Sequence, residues 1–291
     1  MSVASVGVGV PRLRLPRSMG NFLLVVPAVT FLVLFMVAPL VSFLVRSLTG
    51  VDGEFTWQYY VEIFTTANYR AALINSLWLA IASTVVTIAV TFPAALHLAR
   101  LEGRRAIAYD AILTFPLSLP GLVIGFFVIV LFGRAGLAQS ASVALTGQQS
   151  LVLAYSMPGL LFAYLYFQLP RTLGILRGSA SALDPDLEDV ARTLGASPAR
   201  ITATVVLPAM WPAILSAAGI AIASSLGAYG TVAALSEGFR VLPLEIAEQG
   251  TVLQNTALAG AMAVVLAAVS VVFTVLNNLG ERMIGRSEVR A

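Results

Sequence analysis

Six apolar runs, each of roughly the 20 residues that a helix needs to cross a 30 Å hydrocarbon core, dominate this 291-residue chain. They are Phe22–Phe43, about Leu73–Leu96, about Ile112–Phe132, Leu151–Leu169, about Trp211–Leu235 and about Ala257–Leu276. Any one of them could be a buried helix of a soluble protein. Six of this length, separated by short polar stretches, exceed what soluble helices provide. Charged residues make up 11% of the chain and hydrophobic residues 58%, whereas a soluble domain carries about 25% charged residues. The expected fold is all-α: a polytopic membrane protein of six transmembrane helices. A cytoplasmic tail is expected at 1–21, a membrane domain at 22–278 and a second tail at 279–291.

The arginines orient these spans. Thirteen of 17 fall on one side: Arg12, Arg14 and Arg17; Arg100, Arg104 and Arg105; Arg171, Arg177, Arg192 and Arg200; Arg282, Arg286 and Arg290. The other side holds Arg46, Arg70, Arg134 and Arg240. The positive-inside rule therefore predicts both termini in the cytoplasm, which an even number of spans requires. The first run is too long for a signal-peptide core and reads as an uncleaved helix. Trp57, Tyr59 and Tyr60 in the outer loop 48–70 suit an interfacial aromatic belt, with contact to an external partner as the alternative.

Composition removes much chemistry. There is no lysine, which excludes a P-loop and Schiff-base catalysis. There is no cysteine, and His97 is the single histidine, so thiolate catalysis and His- or Cys-rich metal sites are excluded. The arginines cluster at span ends, which speaks for topology and against a nucleic-acid surface. His97 and Asp110 lie near the cytoplasmic ends of spans two and three, and no titratable group is expected at the midplane. That argues against an ion-coupled secondary transporter and against a membrane-embedded enzyme, the two alternative classes.

The long cytoplasmic connection, about 170–207, contains Asp184-Pro-Asp-Leu-Glu-Asp-Val-Ala-Arg-Thr-Leu194-Gly195. Asp184 is a capping carboxylate with proline at the first helical position, and Asp186, Glu188 and Asp189 suit the positive end of the helix dipole. Leu187, Val190, Ala191 and Leu194 make one apolar stripe. Gly195 supplies the stop, where positive φ is needed, and Ser197-Pro198 starts a second helix that runs to about Val206. So short an amphipathic helix needs a surface to bury its stripe. Its acidic first turn disfavours an anionic lipid surface, which leaves a protein partner.

This loop resembles the Glu-Ala-Ala motif of the permease subunits of bacterial ABC importers. The pattern is Glu-Ala-Ala, three residues, Gly, nine residues, Ile, one residue, Leu-Pro. Here Asp189-Val190-Ala191 precedes Gly195 at that spacing, and Val205, Leu207 and Pro208 follow. The departures, Asp for Glu and Val for Ala and Ile, preserve charge or bulk. The resemblance covers roughly residues 70–278 and implies the type I importer fold in a bacterial inner membrane. It implies an ATPase-coupling element of Leu187, Glu188, Asp189, Ala191, Leu194, Gly195, Leu207 and Pro208. It further implies a cytoplasmic ABC ATPase dimer, a second permease subunit and an extracytoplasmic solute-binding protein as partners, with ATP and Mg used by the ATPase and no cofactor on this chain.

The resemblance also places span five beside the translocation route, which makes Ser224, Ser225 and Tyr229 lining residues, with Gln168 and Tyr164 of span four behind them. Gly227-Ala-Tyr-Gly230 is expected to yield. Phe115-Pro-Leu-Ser-Leu-Pro120-Gly121 reads as a bend and, with Leu131–Leu137, loosely resembles the branch serving sulfate, thiamine, ferric iron, polyamines and phosphonates.

Overall fold

The computed structural model describes residues 17–288 apart from 51, 102, 149–150 and 237–238. Most of the two predicted tails, 1–16 and 289–291, lies outside the described residues, as does the Asp110 side chain. Arg17–Leu32, a π turn at Val33–Val37 and Ala38–Ser47 form one rod, α1. Then come α2 (Gln58–Thr65), α3 (Ala67–Ala99), α4 (Gly103–Thr114), α5 (Gly121–Phe132), α6 (Leu137–Thr146), α7 (Met157–Ser181) and α8 (Pro185–Thr193). Pro198–Ile201, a π turn at Thr202–Val206 and Leu207–Leu226 make α9, followed by α10 (Tyr229–Leu235), α11 (Leu242–Ala247) and α12 (Thr256–Glu288). No strand occurs among the described residues.

Among the described residues, five helical stretches are long and apolar enough to cross a membrane: Val25–Ser47, Ala67–Ala99, Gly121–Thr146, Pro198–Leu226 and Thr256–Gly280. The fourth predicted run is not among them. Its helix, α7, begins at Met157 and continues through Pro170 to Ser181. The expected loop start at Pro170 is thus corrected: Pro170 is buried inside the helix, and only Ala182–Asp184 separates α7 from α8. Arg171 and Arg177 therefore sit on a helix rather than in a loop. The expected C-terminal tail is also helical as far as Glu288.

Proline explains the local geometry. Pro39 and Pro208 lack the N–H of a regular turn and crowd the carbonyl four residues back. Each is preceded by a π turn, in which Ala38 N–H reaches Val33 O and Leu207 N–H reaches Thr202 O. Pro208 consequently does not interrupt α9, contrary to the expected separation of a second loop helix from span five. The third run does break. Leu119 precedes Pro120 and is pushed to extended backbone, so α4 and α5 are separate helices joined by a 3₁₀ turn at Phe115–Ser118. The fifth run breaks at Gly227–Ala228, where yielding was expected.

Helices α3, α7 and α9 pack against one another, α12 lies against α9, and α1 rests on α12. Where α3, α7 and α9 meet, a polar cluster is buried. Gln168 Nε2 donates to Ser83 Oγ at 3.0 Å and to Ser225 Oγ, while Thr87 Oγ1 donates to Gln168 Oε1 at 2.8 Å. All four side chains are buried. Toward the α8 end of this node, Ala95, Leu98, Leu173, Leu176, Ile201, Val206 and Met210 form one apolar cluster.

The two half-helices α5 and α10 also pack together. A Cβ on Gly125 would stand 2.5 Å from Ala234 Cβ and 3.1 Å from Thr231 O, so only glycine permits this approach. Gly174, by contrast, has nothing within 4 Å of its would-be Cβ. Gly125→Leu is expected to introduce packing strain of about 1–3 kcal/mol and lower the melting temperature of the detergent-purified protein by several degrees. Gly174→Ala should leave it unchanged or slightly raised. Equal melting curves for wild type and Gly125→Leu would contradict this packing.

Candidate functional site

Two sites were expected, and the structure places their residues differently. The expected coupling site is built on α8. Asp184 Oδ1 accepts from Asp186 N–H at 3.0 Å and caps the helix. At the other end Gly195 adopts φ +80°. Ala196 N–H reaches Ala191 O at 3.1 Å and Gly195 N–H reaches Arg192 O at 3.0 Å, a Schellman ending that requires the left-handed residue.

The stripe divides between two faces. Leu187, Val190 and Leu194 are 52%, 58% and 83% exposed and form an open apolar face. Ala191 turns inward and packs on the apolar cluster around Leu176 and Met210, as does Leu207. Glu188 also works inward: Arg100, at the end of α3, donates to both its carboxylate oxygens, at 2.6 Å for Oε1. Asp189 pairs with Arg192 on the same helix, and Pro208 lies at the exposed start of the main segment of α9. Of the eight residues expected at a partner surface, Glu188, Ala191 and Leu207 therefore fasten the loop to its own helices. Arg100 was missed, because an ion pair spanning 88 positions leaves no local pattern.

The membrane-level site needs a larger correction. Tyr164, Gln168 and Ser225 are each 2% exposed. Gln168 and Ser225 belong to the buried node, and Tyr164 packs among Leu79, Ile124, Leu160 and Val232. These three tie helices together and line neither of the two clefts beside Arg171. Ser224 and Tyr229 do open into a cleft of about 550 Å³, bounded by Leu117, Gly121, Phe167 and Arg171. Arg171 Nη1 donates to Ser224 Oγ at 2.8 Å. A second cleft of about 680 Å³ continues from Arg171 and Leu117 along Gly174, Arg177 and Ser181 toward the C-terminal end of α7. Among the described residues, neither lining contains an aspartate or glutamate.

On the opposite side, α11 is a short buried element that periodicity did not reveal. Leu242 N–H bonds Ser76 Oγ at 2.8 Å, and Gln249 Nε2 bonds Tyr69 OH at 2.9 Å. Arg240 bridges Glu245, at 3.0 Å, and Glu248. Hydrogen bonds donated to Glu245 and then to Glu248 raise its pKa above the ordinary arginine value.

The described residues thus form a helical bundle with broken helices around a cleft and a capped helix presenting an apolar face at one end. Residues 91–286 match the binding-protein-dependent transport system inner membrane component, and the chain belongs to that family. It is the permease subunit of an ABC importer and not an enzyme. The chain is 34% identical to the molybdenum transport system permease ModB of Mycobacterium tuberculosis over 253 residues, 86% of this chain and 91% of the relative. It is 26% identical to the sulfate transport system permease CysW of Synechocystis, covering 94% and 97%. Among solved structures it is similar to a chain of a bacterial alginate ABC transporter (TM-score 0.78, 15% identity, 92% and 96% covered). It also resembles a chain of the MetNI methionine transporter (TM-score 0.55, 17% identity, 76% and 99% covered). These likenesses show the same fold.

Proposed function

We propose that this chain forms the translocation pathway for a tetrahedral oxyanion such as molybdate or sulfate. The observation that carries the substrate class is shared chemistry among relatives: permeases named for molybdenum, for sulfate and for molybdate/tungstate match this chain. All of those solutes are tetrahedral dianions. The cleft agrees, since its lining offers arginine and no carboxylate. A polyamine, thiamine or ferric iron would meet charge of its own sign there.

In this reading both termini are cytoplasmic, and α8 docks on a separate ABC ATPase through Leu187, Val190 and Leu194. ATP and Mg act on that partner, a second permease completes the pathway, and a binding protein delivers solute from outside. ATP-driven closure of the ATPases moves α8. Because Ala191 packs on the cluster around Leu176 and Met210 and Glu188 is tied to Arg100, that movement passes to α3, α7 and α9 and switches access to the cleft.

Reconstitution with the cognate ATPase and binding protein tests the substrate. ATP-dependent, saturable uptake of molybdate or sulfate is expected. Uptake of putrescine or thiamine in place of either oxyanion would contradict it.

Gly195→Val tests the coupling. A left-handed L-residue costs roughly 1–2 kcal/mol and a β-branched one more. A Cβ there meets nothing within 4 Å in this chain, so the membrane bundle is spared. We expect near-normal membrane abundance, with weakened ATPase association and strongly reduced uptake. Thr193→Ser, which keeps the 2.7 Å bond to Val190 O, should be mild. Normal uptake and ATPase binding by Gly195→Val would remove this loop as the coupling element.

A further inference from the structure

Arg171 is placed where a cation needs a reason. Gln168, less than one turn earlier on α7, bonds Ser83, which stands at the midpoint of the 33-residue α3. Three residues of helix separate Arg171 from that level by about 4.5 Å. Arg171 therefore lies within one helical turn of the level of the α3 midpoint, although in sequence it looks like one more topological arginine. It is too deep to be explained by its place at a span end, and facing it to lipid would be costly. Among the described residues no carboxylate pairs with it, and its hydrogen bond goes to neutral Ser224.

The cleft fits a small anion rather than a structural ion pair. Ser224 takes one of the guanidinium's five donors, which fixes the fork and leaves other N–H groups directed at the open space. Tyr229, 47% exposed, adds a phenol hydroxyl to the same lining. Helix α5 starts at Gly121 on the cleft wall, so its dipole contributes potential of the same sign. Toward the cytoplasm the wall of the second cleft is Gly174 and Gly178, whose absent side chains keep it open below Arg171.

We propose that Arg171, held by Ser224, is an intramembrane transit site for the oxyanion, where a dianion leaving water meets compensating charge. The inference rests on the oxyanion reading and adds a named selectivity element to the permease itself. A single arginine with one neutral anchor binds weakly enough to release its ion, as a conducting site must.

The chain contains no cysteine, so Arg171→Cys provides its single thiol in the complete complex reconstituted with ATPase and binding protein. We expect Arg171→Gln and unmodified Arg171→Cys to lower molybdate or sulfate uptake by about tenfold or more, the scale of losing a hydrogen bond to a charged group. Binding-protein-stimulated ATP hydrolysis should persist, and Arg171→Lys should retain part of the uptake. Modifying Arg171→Cys with cationic 2-aminoethyl methanethiosulfonate should restore uptake. The neutral methyl reagent should not, and saturating molybdate should slow the modification. Because modified and unmodified protein come from one folded preparation, rescue separates charge from a folding defect. Oxyanion uptake at the wild-type rate by Arg171→Gln, or equal rescue by the neutral reagent, overturns the site alone. A wild-type complex that moves neither oxyanion overturns the substrate reading and the site together.

Discussion

A polar group inside a bilayer has no water to bond, so it must be satisfied by the protein that buries it. In this permease that constraint is met at Gln168. Its amide reaches Ser83 and Ser225 and accepts from Thr87, which joins α3, α7 and α9 at one level. The spare hydrogens of Ser83 and Ser225 have outlets to Ala80 O and Ala221 O within their own helices. The node is therefore closed on itself, and it fixes the rotation of three helices that apolar contacts alone would leave free to slide.

The functional parts hang on that block. Beside α8, the cluster around Leu176 and Met210 seats Ala191 and Leu207, and Arg100 grips Glu188. Helix α8, the proposed docking element, is thereby fastened to the bundle while Leu187, Val190 and Leu194 stay exposed. Beside the node, two helices break, at Phe115–Pro120 and at Gly227–Ala228, and the irregular backbone lines the cleft. Non-helical backbone at this depth is tolerated where it borders a cavity. The neighbours Ser224 and Ser225 show the division: Ser225 turns into the node and Ser224 turns to Arg171 in the cleft.

Much of this was legible locally. Long apolar runs reveal membrane helices whatever their partners, and Asp184-Pro and Gly195 act within one turn of chain, so the capped loop helix could be read directly. The bend at Phe115–Gly121 and the yielding Gly227–Gly230 were also visible as proline and glycine. Other features depended on tertiary partners. Pro170 suggested a helix end, but its surroundings keep α7 intact to Ser181. Reading Pro170 as a helix end places Arg171 in a loop instead of on α7 and hides the cation in the cleft. Gln168 and Ser225 looked like pathway residues because a polar side chain in an apolar run can face either a cavity or another helix. Only the partners 81 and 57 positions away decide between them.

The central claim is that α8 and the Gln168-joined helices move as one rigid piece when ATP is bound. Spin labels on Thr193→Cys in α8 and Trp78→Cys in α3, both exposed positions in a cysteine-free chain, measure this directly by double electron–electron resonance in the assembled transporter. The account predicts one distance distribution shared by the nucleotide-free and ATP-trapped states. A distribution that shifts between those states by more than the spread of the labels would show that α8 moves independently of the bundle, and would contradict it.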